Sequence, residues 1–292
     1  MTDNTSNNND FSCSLIIPTR DNYAYLKSCI DSILESSNNE KLDIIIIDNR
    51  SEEKATLNYL DSLRRTKNFQ VLSWPNPFNY SAINNFAAKA AKSEVLCFLN
   101  NDVVITDKEW LPKTLPLVKR QDVGAVGCVL LYPDSTIQHA GIALDEQSIA
   151  KHIALNEESK FLENHGISDP FAVDSSTAAF LLTKRELFFK LGGFNEAKLS
   201  IAYNDVDLCL RMSEKGLPIL IHPGVKLIHH ESMTRESDYL PSNRPRAVNE
   251  FNYTKYRWRH RLVGKRYDRG IPSGLRKLVS ESLGDLDTMI LM

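Results

Sequence analysis

Ile44-Ile45-Ile46-Ile47-Asp48-Asn49 is the stretch that decides the fold. Four β-branched residues in a row, with nothing polar between them, suit a strand covered on both faces, as in a parallel sheet. The run stops at a carboxylate and an amide. Upstream, Ser14-Leu15-Ile16-Ile17 is a second short apolar run, closed by Pro18, and it reads as another buried strand. Between the two, Leu26, Ile30, Ile33 and Leu34 recur at helical spacing, so an amphipathic helix is expected over about residues 23–36. Downstream, Val71-Leu72-Ser73-Trp74 reads as a strand cut off by Pro75 and Pro77. Residues 79–92 carry Ile83, Phe86, Ala87 and Ala90 on one helical stripe, and Val95 to Leu99 is apolar up to Asn100-Asn101-Asp102. Strand, helix, strand, strand, helix, strand predicts an α/β layer fold with a largely parallel sheet.

Three polar clusters each follow an apolar strand directly: Thr19-Arg20-Asp21, Asp48-Asn49 and Asn100-Asn101-Asp102. In parallel α/β sheets the carboxyl ends of the strands share one edge, and ligands bind in the crevice there. Asp and Asn also start loops well, which explains any one cluster. Three together predict a shared site.

The second half is less regular. Val123 to Leu131 is apolar and ends in the turn Tyr132-Pro133-Asp134-Ser135, while residues 145–170, with His152 and His165, read as a long surface loop. Ser176 to Thr183 is small and apolar. Lys184 to Lys190 reads as a helix ended by Gly192-Gly193. Asn204-Asp205 opens a helix to about Lys215, with Gly216 as its stop. Leu217 to Ile221 and Val225 to Ile228 read as two strands, the second closed by His229-His230-Glu231.

Composition excludes several classes. A chain of 292 residues is one large domain or two fused lobes, and 42% hydrophobic with 25% charged residues rules out a wholly disordered protein. Lys and Arg number 35 against 37 Asp and Glu, which argues against a nucleic-acid binder. The apolar runs fall far short of the roughly 18 residues a membrane helix needs. The opening MTDNTSNNND is polar, so residues 1–10 are expected to be a disordered tail and no secretory leader is expected. Five scattered cysteines without a CxxC fit buried free thiols in the cytosol. No zinc cluster is expected, because the histidines lie far from them. A dinucleotide oxidoreductase is excluded by the absence of G-x-G-x-x-G. A sugar-1-phosphate nucleotidyltransferase should carry a Gly-rich loop after the first strand, where this chain has Pro18-Thr19-Arg20-Asp21.

The segments SLIIPTRDN, IIIIDNRSEE, FNYSAINN, CFLNNDVVI, LYPDSTIQHAGI, LTKRELFFKLGGFNE, NDVDLCLR and HPGVKLIHHES, in this order, resemble family 2 glycosyltransferases. The likeness is greatest to the bacterial enzymes of surface-polysaccharide synthesis such as O-antigen, including rhamnosyltransferase-like members. It covers roughly residues 12–235. It implies a GT-A-type fold, a Rossmann-like, mostly parallel sheet flanked by helices, with an acceptor-side extension and a C-terminal helical segment. It also implies inverting transfer of a hexosyl or deoxyhexosyl unit from a nucleotide-diphosphate sugar to a glycan or lipid-linked acceptor. Residues 11–135 are then the nucleotide-binding half, 136–235 the acceptor half carrying the base, and 236–292 a basic and amphipathic segment.

The residues are read against that chemistry. Asp48, a carboxylate at a strand end, is suited to a base N–H or a ribose hydroxyl, and in similar enzymes the matching position contacts the nucleoside. Pro18 and Thr19 match the family's first nucleotide loop. Asn84 and Asn101 are assigned to the nucleotide, as is Asn79, for which a helix cap is the plain alternative. Asn100-Asn101-Asp102 stands where the family has D-x-D or N-x-D. Manganese or magnesium is expected there on Asp102, helped by Asn100, since magnesium needs only one or two carboxylates plus phosphates. His229, in an H-x-E pattern with Glu231, is the expected third ligand. Strand alternation sends His230 to the other face. Asp205 matches the Asp of the family's E-D motif, the base, with Asn204 in place of Glu, and the helix start is expected to hold it ionised. Asp207 is assigned to structure. His139 and His152 match subgroup positions and are assigned to the acceptor side.

Residues 251–277 hold nine Lys or Arg against Asp268, interleaved with aromatics, and Leu275, Leu278, Val279, Leu283, Leu286 and Ile290 follow as a helical stripe. A peripheral contact with the inner face of the membrane is expected from that pairing. Covering the diphosphate, packing on the domain or a second subunit, and a solvated basic face are the other readings. The rival from another class is a non-catalytic sugar-nucleotide or glycan-binding protein, which Asn100 and Asn204 keep open.

Overall fold

The computed structural model describes residues 12–36, 41–230 and 240–265. The expected N-terminal tail, Glu231 and the apolar stripe from Leu275 onward lie outside these. β1 (Cys13–Thr19) and β2 (Leu42–Asp48) are buried along their whole length and pair in parallel, Leu15 opposite Ile44. The pleat divides the four isoleucines of β2. Ile45 and Ile47 pack on one face of the sheet with Ile16 and Phe98, while Ile44 and Ile46 pack on the other with Leu15 and Ile17. Each is worth roughly 1.5–3 kcal/mol of burial. α1 (Tyr23–Leu34) connects the two strands and buries Leu26, Cys29, Ile30 and Ile33.

α2 (Lys54–Leu63) is missing from the sequence reading. It buries only Thr56, Leu60 and Leu63, so its apolar stripe is too thin to stand out, yet it supplies the crossover to β3 (Phe69–Ser73), parallel to β2. α3 (Tyr80–Ala88) is capped by the Asn79 side chain, which accepts from the Ala82 N–H at 2.9 Å. β4 (Val95–Leu99) pairs in parallel with the start of β1. Pro18 stays inside β1 rather than ending it. Its missing N–H is harmless because β4 pairs only with Ser14–Ile16.

β5 (Val103–Val104) and α4 (Trp110–Val118) follow, then β6 (Ala125–Leu131), buried throughout, and β7 (Ile137–His139). The expected surface loop over 145–170 is instead organised. β8 (Ile142–Asp145) and β9 (Ile149–His152) form a hairpin, with Ile142 opposite His152, and α5 (Phe161–Asn164) follows. Ile149 and Ile153 are fully buried, and the lysine and histidine between them hide the pattern in the sequence. β10 (Phe171–Val173), β11 (Phe180–Lys184), α6 (Arg185–Lys190) and α7 (Asn204–Ser213) lead to β12 (Ile219–His229). The two strands expected at its place are one strand, with a bulge between His222 and Lys226 that absorbs Pro223-Gly224.

The sheet order is β10-β12-β6-β11-β4-β1-β2-β3. It is parallel across β4, β1, β2 and β3. Beyond β4 it is mixed, because β11 runs antiparallel between β4 and β6. α8 (Arg244–Arg257) and α9 (Arg259–Leu262) close the described chain, and Trp258 is fully buried among Ile142, Val206 and Leu210. No described helix is long and apolar enough to cross a membrane.

Candidate functional site

The carboxyl ends of β1 and β4 meet at one edge, joined by a hydrogen bond from Asn101 Nδ2 to Thr19 Oγ1 at 3.0 Å. A cavity of about 830 Å³ opens there. Its wall takes Pro18 and Thr19 from β1, Asn49 from the end of β2, Asn100, Asn101 and Asp102 from beyond β4, Asn204 and Asp205 from α7, His229 from β12 and His152 from β9. The loop after β1 turns through Asp21 and Asn22, both at positive φ (52° and 55°), a conformation that Asp and Asn tolerate best after glycine. Asp21 fixes it by accepting from the N–H groups of Glu52 and Glu53 at 2.6 and 2.8 Å.

At one end of the wall Asp102 Oδ1 and His229 Nε2 stand 3.2 Å apart, yet the buried Oδ1 accepts no hydrogen bond. His229 Nδ1 lies 2.6 Å from Gln138 Oε1, and Asn100 Nδ2 lies 3.5 Å from His229 Nε2. With Nδ1 donating to the Gln138 carbonyl, the Nε2 lone pair faces a carboxylate oxygen, an arrangement that a cation between them relieves. This oriented imidazole beside a carboxylate is the usual frame of a metal ligand. Among the described residues no group of three or more His, Cys, Asp or Glu converges, so the set is one carboxylate, one imidazole and the Asn100 amide. It fits a weakly held ion completed by donor phosphates. His230 turns away, its ring packed 5.1 Å from that of Tyr25.

Asp205 sits in the first turn of α7, after Tyr203 at φ 60°. Its Oδ2 accepts from the Ala178 N–H at 3.1 Å and its Oδ1 from the Val206 N–H at 2.8 Å. Burial pushes its carboxyl above the ordinary value, and these two donors and His152 only partly offset that. Desolvation thus makes it a stronger base than an exposed aspartate. Asp207 faces Arg211 Nε at 2.8 Å and Trp258 Nε1 at 3.0 Å, a structural carboxylate.

Four assignments shift. Asp48 lies at the same sheet edge but behind the wall, its Oδ1 taken by the Ser51 N–H at 3.0 Å. Its neighbour Asn49 is on the wall instead, with Nδ2 donating to the carbonyls of Trp74 and Asn76 and a buried Oδ1 without a partner. Asn84 is fully buried in α3 and donates to the Tyr80 carbonyl at 2.8 Å, so it does not reach the cavity; Tyr80 does. Asn79 is spent as a cap. His139 is buried behind the wall, its Nδ1 3.1 Å from that of His152, which reaches the cavity.

Sequence reasoning also missed the far end of the chain. Ser242, Asn243 and Arg246 complete the wall. Buried Glu250 ties α8 to the segment before α7, accepting from Ser200 Oγ at 2.6 Å and from the N–H groups of Ile201 and Ala202 at 3.0 and 2.9 Å. Nothing in the local pattern of a polar, basic helix marks that role.

The sequence profile of Glycosyl transferase family 2 matches residues 14–180. Two curated relatives are each 36% identical: an uncharacterized protein of Sinorhizobium fredii over 84% of this chain, and O-antigen biosynthesis protein RfbC of Myxococcus xanthus over 78%. The chain spans only 27% and 18% of their lengths. O-antigen chain rhamnosyltransferase WbaN of Salmonella anatum is 27% identical over 70% of this chain and 62% of its own. Among solved structures, a mannosyltransferase of Pyrobaculum calidifontis in complex with GDP-Man and Mn2+ superposes with a TM-score of 0.60. It is 15% identical and covers 93% of this chain and 68% of its own; at that identity it shows the fold alone, that of the GT-A glycosyltransferases.

Proposed function

Because the chain belongs to glycosyl transferase family 2, we propose that it transfers a hexosyl or deoxyhexosyl unit from a nucleotide-diphosphate sugar to a hydroxyl of a glycan or lipid-linked acceptor, with inversion, in the cytoplasmic assembly of a surface polysaccharide. One observation carries this reading: Asp102 with His229, and Asp205, come from separate parts of the chain and line one cavity of about 830 Å³, room for a diphosphate and a sugar.

Pro18, Thr19, Asn49 and Asn101 form the nucleotide end. The unpartnered Asn49 Oδ1 is an acceptor for a nucleoside N–H or ribose hydroxyl. A manganese or magnesium ion, when bound, is held by Asp102 and His229 with Asn100 beside them, and supplies positive charge against the departing diphosphate. Asp205 takes the proton of the acceptor hydroxyl, whose oxygen attacks the anomeric carbon on the face opposite the diphosphate. Burial raises the affinity of Asp205 for that proton.

A nucleotide-release assay over a panel of nucleotide sugars with manganese tests the reading. Release with at least one donor, lost in Asp205→Asn, is the expected result; no release from any donor with any glycan mixture leaves the non-catalytic rival standing. A peripheral membrane contact belongs to the same proposal. Lys255 and Arg257 of α8 and Arg259 of α9 are exposed, as are Tyr256 between the first two and Val263 just after α9. Charge reversal at these three is the right probe, because a cut at residue 250 removes the buried Trp258. Flotation of the wild-type chain with anionic vesicles, lost on reversal, is expected; no flotation of the wild type ends the membrane contact.

A further inference from the structure

The His139–His152 pair fixes more than a contact. His139 is almost wholly buried, and its Nε2 accepts from the Thr177 backbone N–H at 3.5 Å, with Ser176 Oγ at 3.2 Å on the same nitrogen. A backbone N–H can only donate, so Nε2 carries the lone pair, and the proton of the neutral ring is on Nδ1. That proton points at His152 Nδ1, 3.1 Å away. His152 Nδ1 is therefore an acceptor, and the proton of its neutral ring is on Nε2. Burial holds the His139 ring well below the usual histidine range, so it stays uncharged. His152 Nε2 is on the ring edge away from the buried His139, and His152 lines the cavity with Asp205.

We propose that His152 is a binding residue for the acceptor, offering an Nε2–H donor beside Asp205, and that His139 is the positioning residue that fixes this tautomer. Only a group that accepts and donates at once can bridge an imidazole N–H and a carboxylate. A sugar hydroxyl does both: its oxygen takes the His152 hydrogen bond while its proton points at Asp205. The bridge aims the O–H at its base and leaves the second oxygen lone pair for attack. The assignment rests on the transfer reaction proposed above, but the tautomers do not, and that separates the two in the laboratory.

Long-range 1H–15N correlation spectra of the full chain labelled with 15N-histidine, taken near pH 7.5, read the tautomers without any ligand. Expected are a neutral Nδ1–H ring for His139 and a neutral Nε2–H ring for His152. In His139→Asn the amide N–H replaces Nδ1–H and the His152 pattern is kept, whereas His139→Leu releases it to a mixture. A wild-type His152 protonated on Nδ1, or on both nitrogens, overturns the proposal. So does a His139→Leu variant that remains folded by circular dichroism with the His152 pattern unchanged. For the acceptor role, His152→Phe is titrated with UDP and GDP plus manganese by calorimetry. Affinity within about twofold of wild type for whichever nucleotide the wild type binds is expected. A loss of tenfold or more places His152 on the nucleotide and overturns the acceptor assignment. If the wild type binds neither nucleotide, the donor reading of the site fails while the tautomer result stands on its own.

Discussion

Glu250→Ala separates a structural tether from a surface residue. Glu250 is buried in α8, 48 to 50 residues beyond the loop segment it holds. Its carboxylate takes Ser200 Oγ, the N–H groups of Ile201 and Ala202, and Arg246 Nη1 at 2.6 Å. Truncation strands two partly buried backbone donors and a guanidinium. Removing one partner of a buried ion pair costs about 3–5 kcal/mol. For a protein of this size each kcal/mol lowers the midpoint by about 2–4 °C, so the fall is roughly 6–20 °C. Glu250→Gln keeps one carbonyl oxygen for the backbone donors and loses the charge partner of Arg246, so a smaller fall, about a third to a half as large, is expected. The assay is differential scanning fluorimetry, followed by nucleotide release below both midpoints. The segment that Glu250 holds carries Ile201 on the cavity wall and runs straight into Asn204 and Asp205. Turnover therefore falls by about tenfold or more even where the variant remains folded. A midpoint within about 2 °C of wild type for Glu250→Ala refutes the tether. A large fall in midpoint with unchanged turnover refutes the link between α8 and the site.

Asp205→Asn removes the proposed base, and turnover should drop about 10²–10⁴-fold with nucleotide binding retained; turnover close to wild type would falsify the assignment. The same variant has a stability signature. The folded carboxyl lies above its unfolded value of 3.8, so the native state binds that proton more tightly. Wild-type stability falls as pH rises through 3.8 towards the folded value, and stays reduced above it. Asp205→Asn avoids that loss, so its midpoint at pH 7 relative to wild type is higher than at pH 3.5; an offset independent of pH contradicts the sign. Asp102→Ala should weaken manganese-dependent nucleotide binding by about tenfold or more by calorimetry, and equal affinity with and without manganese in the wild type removes Asp102 from a metal site. Gly127→Ala places a Cβ 2.1 Å from Ser176 Oγ and 2.9 Å from Ile221 Cδ1 in the middle of the sheet. A loss of about 1–3 kcal/mol is expected in a denaturant melt, and an unchanged midpoint shows that β6 and Ser176 can part without cost.

The strands were legible because burial on both faces leaves a one-dimensional trace: an unbroken apolar run such as Ile44–Ile47 has few other homes. Strand ends were legible for the same reason, since the first polar residue after such a run lies where the sheet stops. That placed Thr19, Asn101 and Asp102 on one wall before any coordinates, whereas Asp205 came from the family likeness. Thin or interrupted patterns were not legible. α2 buries too little to show a stripe, the β8–β9 hairpin hides behind Lys151 and His152, and β12 crosses Pro223-Gly224 on a bulge that a linear reading takes for a break.

Sequence alone thus determined the layered α/β fold, the edge of the sheet where ligand chemistry collects, and the family likeness, because each is written in local runs and their order. Tertiary structure decided which of two neighbours faces the cavity, since a side chain's direction depends on register and on partners far along the chain. Asn49 rather than Asp48, and Tyr80 rather than Asn84, follow from it. It also decided what no local pattern carries: the lone pair of His229 turned on Asp102, the burial that raises Asp205, and a glutamate in a basic helix reaching back 50 residues to hold the loop before it.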